Sequence, residues 1–157
     1  MTIEDQQQWI EEQHLLLDQK AQHLSPPYEE LMGIVFIKGA LKLMPQKINN
    51  LSDWEEFKFE TAKLIHHIPV ENEGKRSPAQ KEHQKNLSLY KSYLMKKYNV
   101  VAKGYYVALW TPLGISIGLP FGLMFKNLAL GIPIGLALGA AIGSYLTSVA
   151  KKENRVI

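Results

Sequence analysis

Two long apolar runs near the C-terminal end dominate the pattern of hydrophobic and polar positions along this chain. Residues 104–125 and 128–149 are each 22 residues long and contain no charged side chain. A helix needs about 20 apolar residues to cross a hydrocarbon core about 30 Å thick. One helix over both runs would be about 69 Å long at a rise of ~1.5 Å per residue, so the chain must turn at its polar break, Lys126-Asn127. The pattern predicts a transmembrane helical hairpin over residues 104–149.

Glycine occupies every fourth position in both runs, and residues four apart lie on one face of a helix. In lipid, helices associate through close backbone approach at small residues, because lipid tails are as apolar as the side chains. The predicted helix-packing residues are Gly114, Gly118 and Gly122 in the first helix and Gly131, Gly135, Gly139 and Gly143 in the second. A second small face, Ala137 and Ala141, is offset from the glycines of the second helix. This face predicts a contact with a second copy of the chain, and hence a homo-oligomer.

These repeats resemble those of the glycine-zipper membrane proteins, a group of small proteins defined by GxxxGxxxG repeats. The resemblance is carried by residues 104–149 alone. It implies closely packed membrane helices. Because the group includes pore-formers, the resemblance also implies an alternative function as an oligomeric pore or channel subunit.

Positive charge is concentrated outside the predicted hairpin. Only Lys126 lies in the turn, whereas the flanks carry Lys85, Lys91, Lys96, Lys97, Lys103, Lys151, Lys152 and Arg155. Cytoplasmic flanks of membrane helices are enriched in lysine and arginine. The distribution predicts an integral protein of a plasma or inner membrane with both termini in the cytoplasm, and residues 150–157 as a basic tail.

Residues 1–27 have a polar, weakly amphipathic pattern that predicts a helix ended by Ser25-Pro26-Pro27. Leucine and isoleucine recur every seven residues, but glutamine and lysine occupy the other seam positions. Three interpretations remain open: a helix lying on a small bundle, a mobile arm, and half of a coiled-coil dimer.

Residues 28–103 predict a helical soluble domain. Its most apolar stretch, residues 28–44, is too short to span a bilayer, so it lies either in the core of the domain or on the membrane surface. The spacing of apolar residues predicts a core that includes Ile34, Val35, Leu41, Phe57, Leu64 and Ile65.

Helix boundaries within this domain are indicated by capping patterns. Ser52-Asp53-Trp54-Glu55 has the form of a capping box and predicts a helix that continues to about residue 68. Ser77-Pro78-Ala79-Gln80 predicts a second start, with proline in the first turn. Asn99 and Gly104 are the expected break points before the first membrane helix.

The residue composition and the motifs argue against several kinds of catalytic and binding site. The net charge is +3 and cysteine is absent, which excludes disulfides and thiolate catalysis. His66 and His67 are adjacent and therefore point about 100° apart on a helix, whereas two ligands on one face need a spacing of three or four. The sequence also lacks phosphate-loop and nucleic-acid-binding motifs. We therefore predict no catalytic residues, metal site, cofactor or nucleic-acid partner.

The sequence as a whole predicts an all-α protein, a small helical cytoplasmic domain joined to a two-helix transmembrane hairpin. Its partners are the lipid bilayer, a second copy of the chain, and an unknown protein bound through the soluble domain. The function expected is a non-enzymatic structural or assembly role in the membrane.

Overall fold

A computed structural model describes residues 3–69 and 77–157. The described residues form seven α-helices, one 3₁₀ turn and no β-strand beyond a single parallel bridge between Val101 and Val156. The helices are α1 Ile3–Ala21, α2 Pro26–Met32, α3 Ile34–Leu43, α4 Leu51–His66, α5 Pro78–Tyr98, α6 Tyr105–Met124 and α7 Leu128–Lys152, and the 3₁₀ turn is Met44–Gln46. The predicted all-α fold is confirmed.

The chain divides into two compact units. The first, which we call the bundle, covers residues 1–99 together with Ile157, and the second, the hairpin unit, covers residues 100–156. Helix α5 ends where Asn99 adopts a left-handed conformation with φ of 57°, and α6 begins after Gly104, whose φ is 81°. Both residues are the break points expected from the sequence, because asparagine and glycine tolerate this backbone conformation best.

Helix α1 packs on the bundle. Its Leu17 side chain is fully buried, and the Trp9 ring meets Trp54 and Phe57 of α4 edge-on at centroid distances of 5.8 and 6.2 Å. Of the three interpretations of residues 1–27, the structure therefore has the helix that lies on a bundle. The bundle accordingly includes this segment and does not begin at residue 28.

The apolar stretch 28–44 is broken at Gly33 into α2 and α3. Gly33 has φ of 73°, and a Cβ atom built on it would lie 2.6 Å from a methyl carbon of Leu87 in α5. The left-handed backbone conformation favours glycine here, and any side chain would also displace the Leu87 side chain. The buried residues of the stretch are Tyr28, Met32, Ile34, Phe36, Ile37, Ala40, Leu41 and Met44.

One predicted core residue is wrong. Val35 is 67% exposed, whereas Ile34, Leu41, Phe57, Leu64 and Ile65 are buried. The reason is helical periodicity, since Val35 shares the outer face of α3 with Lys38 and Lys42, three and seven residues further on.

The start of α4 also differs from the prediction. Asn50, not Ser52, is the N-cap: its side-chain oxygen accepts a hydrogen bond from the Asp53 amide at 2.8 Å, and its amide nitrogen donates to the Asp53 carboxylate at 2.8 Å. Asparagine caps a helix as well as serine does, so the two patterns compete two residues apart. In α5 the predicted cap is confirmed, with Ser77 Oγ accepting from the Gln80 amide at 3.1 Å.

Candidate functional site

Helices α6 and α7 form an antiparallel pair joined by the turn expected from the sequence. Lys126 has a left-handed φ of 50°, and the Asn127 amide donates to the Gly122 carbonyl at 2.8 Å. The Asn127 side chain then caps α7 by accepting from the Ala129 amide at 3.1 Å. Three prolines, Pro112, Pro120 and Pro133, lie inside these helices. Both helices are long and apolar enough to cross a membrane.

The glycine rows of the two helices face each other. A Cβ atom built on Gly118 would lie 2.7 Å from the Cα of Gly135, and one built on Gly131 would lie 2.9 Å from the Cα of Gly122. Atoms at such distances overlap, so the backbones of the two helices are already in contact at these points. All of the predicted helix-packing glycines are buried in this interface: Gly114, Gly118, Gly122, Gly131, Gly135, Gly139 and Gly143.

The row on α7 is one glycine longer than the row on α6, and the pattern of glycines predicted no partner for its last member. Gly143 meets Val107, whose Cα would lie 2.7 Å from a Cβ at that position. A Cβ atom built on Gly139 would likewise lie 2.9 Å from the Cα of Thr111. Val107, Thr111 and Gly114 continue the α6 face at spacings of four and three, so periodicity could have identified these partners.

The outer surface of the pair is apolar. Ala137 and Ala141, the second small face, are exposed and lie half a turn away from the glycine row of α7. Large apolar side chains are exposed all along both helices, among them Leu113, Ile117, Leu123, Leu130, Ile134 and Leu138. An exposed apolar surface that extends over two helices of this length is suited to lipid.

Hydroxyl groups within the two helices bond to the backbone of their own helix. Ser116 Oγ donates to the Pro112 carbonyl at 3.0 Å, and Thr147 Oγ1 donates to the Gly143 carbonyl at 2.7 Å. Ser148 Oγ donates in the same way to the Ser144 carbonyl at 3.0 Å. These donors are satisfied within the helix, where lipid could not satisfy them.

A small cluster around Arg155, which we call the clasp, closes the open end of the hairpin. The Val101 amide donates to the Arg155 carbonyl at 2.8 Å, and Arg155 Nη1 donates to the Tyr106 hydroxyl at 3.2 Å. Its Nε donates to the Glu153 carboxylate at 2.6 Å, and this pairing raises the pKa of the guanidinium further. The sequence predicted only a basic tail here. The residues of the clasp are far apart in the chain, as are the bridged pair Val101 and Val156, so they leave no local pattern.

His83 is a fully buried titratable side chain in the described part of the bundle. Its Nε2 donates to the Met32 carbonyl at 2.9 Å, which fixes α5 against the end of α2. Burial lowers the pKa of the imidazole, the hydrogen bond to the Met32 carbonyl opposes this in part, and the charge of Lys20 lowers the pKa further. Among residues 3–69 and 77–157, no group of three or more histidine and acidic side chains is placed to hold a metal ion.

Several charged side chains of the bundle form ion pairs on its surface. Lys97 Nζ lies 2.6 Å from the Asp53 carboxylate and 2.5 Å from that of Glu56. Its ammonium lowers the pKa of Asp53, and the two carboxylates raise the pKa of Lys97. Lys38 pairs in the same way with Asp18 at 2.5 Å and lowers the pKa of that carboxyl. These pairs connect neighbouring helices of the bundle.

Comparison with known proteins agrees with the geometry of the hairpin. The model of a family described as glycine zipper membrane protein matches residues 97–149 of the chain. No curated protein and no solved structure matches. The resemblance drawn from the glycine repeats is thus confirmed for this segment. Together with two helices of membrane-spanning length, the match identifies a membrane protein that contacts the lipid bilayer.

Proposed function

We propose that this chain is a non-enzymatic structural or assembly protein, anchored in a plasma or inner membrane by its glycine-zipper hairpin. The observation that carries the proposal is the position of the glycines in the two rows. Every one of them is buried between α6 and α7 of the same chain, so the rows serve to build a rigid anchor. The bundle would then present its surface to a protein partner in the cytoplasm.

The proposed orientation places both termini in the cytoplasm and the Lys126-Asn127 turn on the opposite side. Support comes from the lysines and arginine at the open end of the hairpin, against a single lysine at the turn. Because the chain has no cysteine, single cysteines introduced at Lys126 and at the exposed Lys96 are unique labels. In sealed cells, a membrane-impermeant maleimide should label the first position and spare the second. The reverse pattern, or labelling of both, would contradict the orientation.

Self-association through the second small face is the finer part of the proposal. Ala137 and Ala141 are exposed on α7 and allow close approach of another helix. Ala137→Leu should weaken any oligomer and leave the hairpin intact, since this residue lies outside the contact with α6. Gly135→Leu should separate α6 from α7, because a Cβ there would already lie 2.9 Å from the Cα of Ile115. Cross-linking in native membranes, between copies and within one hairpin, would distinguish the two effects.

An oligomeric pore is the alternative function. Ion pathways usually present polar or charged groups at membrane depth, whereas three of the hydroxyls of α6 and α7 donate to their own helix. The proposal therefore expects no conductance from the purified chain in planar bilayers. Discrete, reproducible channel currents that disappear in the Ala137→Leu variant would establish the pore in place of the anchor.

A further inference from the structure

Three lysines at the open end of the hairpin are exposed and lack a counter-charge. They are Lys103, just before α6, and Lys151 and Lys152 in the last turn of α7. Residues 100–156 contain one acidic residue, Glu153, and Arg155 engages it. Within the part of the chain that the structure describes, none of these three lysines forms an ion pair, unlike Lys38 and Lys97 of the bundle.

The clasp brings these lysines together although almost 50 residues separate them along the chain. The hydrogen bond from the Val101 amide to the Arg155 carbonyl fixes the segment before Lys103 beside the segment after Lys152. The bond between Arg155 and Tyr106 repeats this connection inside the first turn of α6. The uncompensated cations are therefore held at one end of one rigid pair of helices, with only Lys126 at the other end.

The apolar surface ends at the same place. Tyr105 begins α6, and Tyr145, which is 69% exposed, lies two turns before the end of α7. Tyrosine favours the headgroup region of a bilayer, where the phosphates of lipids also lie. Lysine ammonium groups at this depth attract anionic headgroups, with an energy of about 1 kcal/mol for each lysine.

We infer that the open end of the hairpin binds the phosphates of anionic phospholipids through Lys103, Lys151 and Lys152. The inference rests on the proposed membrane-spanning hairpin and adds a lipid class to it. The lipid is recognised by its net negative headgroup and by its position at the edge of the apolar surface. Soluble phosphate offers the same charge without the acyl chains that would place it there.

The test uses the full chain in nanodiscs of phosphatidylcholine alone or with added phosphatidylglycerol. Native mass spectrometry of the released protein counts the retained lipids of each class. We expect preferential retention of phosphatidylglycerol, with a loss of apparent affinity of about fivefold for each lysine changed to glutamine. Two control variants remove lysine charge elsewhere in the chain. One is Lys126→Gln at the turn. The other combines Lys81→Gln, Lys85→Gln and Lys96→Gln, which change three exposed lysines of α5.

Several results would overturn the inference. Equal retention of both lipids by the wild type, or equal losses in the α5 triple variant, would mean that no site exists at the open end. Displacement of phosphatidylglycerol by inorganic phosphate would assign the site to a soluble anion. If the variant in which Lys103, Lys151 and Lys152 are all changed to glutamine fails to insert into the membrane, Lys152→Gln alone tests the inference. Its expected effect of about fivefold is still measurable. Labelling at position 126 reports insertion separately, so failure of the hairpin and failure of the lipid site give different results.

Discussion

In the bundle, the side chains at helix contacts are large and apolar, with Trp54, Phe57 and Leu17 each no more than 1% exposed. In the hairpin unit, the contact residues are glycines, and side chains such as Ile117 and Leu138 are half exposed. The two units therefore distribute the same residue types in opposite ways. Their solvents explain the difference, because water expels apolar side chains into a core whereas lipid does not.

The comparison separates two sources of stability. The bundle gains from removing apolar surface from water, at about 25 cal/mol for each Å². The hairpin gains from dispersion contacts between backbones that only glycine allows to approach, and from hydrogen bonds completed within each helix. Removing a large side chain should therefore damage the bundle, and adding a small one should damage the hairpin.

The largest effect is expected from Phe57→Ala in the bundle. Phe57 is fully buried and contacts the rings of Trp9 and Trp54, so its removal leaves a cavity. We expect the free energy of unfolding to fall by about 3–5 kcal/mol. Phe59→Ala, two residues away on the exposed face, is the matched control and should change it by less than about 0.5 kcal/mol. Chemical denaturation followed by tryptophan fluorescence measures both, and equal effects would contradict the described core.

The second prediction adds one carbon atom to the hairpin. In Gly118→Ala the new methyl group would lie 2.7 Å from the Cα of Gly135, so the helices must separate. We expect a loss of about 1–3 kcal/mol in the stability of the pair, as for other overpacked contacts. Ser116→Ala, on the exposed face of the same helix, should be close to neutral. Steric trapping or forced unfolding in bicelles would measure the difference, and a neutral Gly118→Ala would show that the rows are not in contact.

The third prediction concerns the N-cap of α4. Asn50→Ala removes the acceptor for the Asp53 amide and should cost about 1 kcal/mol. Ser52→Ala tests the cap that the sequence pattern favoured, and it should cost much less because the structure gives Ser52 no capping role. Thermal denaturation of both variants compares the two caps directly, and the opposite ranking would restore the predicted one.

The smallest effect near neutral pH is expected from His83. Burial lowers the pKa of the folded imidazole below its ordinary value of 6.5, so the unfolded chain binds a proton that the folded chain rejects. The contribution of neutral His83 to the free energy of unfolding is therefore complete above pH 6.5. It is lost as the pH falls from 6.5 through the pKa of the folded state. Asp18 and Asp53 have lowered pKa values too, but they act below their ordinary value of 3.8.

Denaturation midpoints measured from pH 7.5 to pH 5 should fall with acidity in the wild type. His83→Gln, which keeps a donor for the Met32 carbonyl, should flatten this dependence. The exposed His66→Gln should leave it unchanged. A slope that survives in His83→Gln would assign the dependence to other groups.

The hairpin was more predictable from the sequence than the bundle. A charge-free run of fixed length and a glycine at every fourth position define both the helices and the faces that meet, because each is a local pattern. The clasp was not predictable in this way, since Val101, Tyr106 and Arg155 meet only after the hairpin has formed.

In the bundle, helix starts and most core residues followed from local signals, and the errors came from competition between equal signals. Asn50 and Ser52 both suit a cap, and the structure has the first. Val35 belongs to an apolar run that ends at Ile37, and only the lysines beyond that run mark its face as the outer one. The break at Gly33 lies within a continuous apolar stretch, where a glycine alone does not distinguish a helix end from a helix interior.

The clasp is among the last contacts of the hairpin to become possible during synthesis. Tyr106 and Arg155 are 49 residues apart, so at about 5–20 residues per second the ribosome makes the second some 2–10 s after the first. The clasp therefore cannot form until α7 and the residues after it have been made. The glycine contacts nearest the turn can form first, and the open end closes last. A newly made hairpin can thus be joined at its turn while its open end is still free.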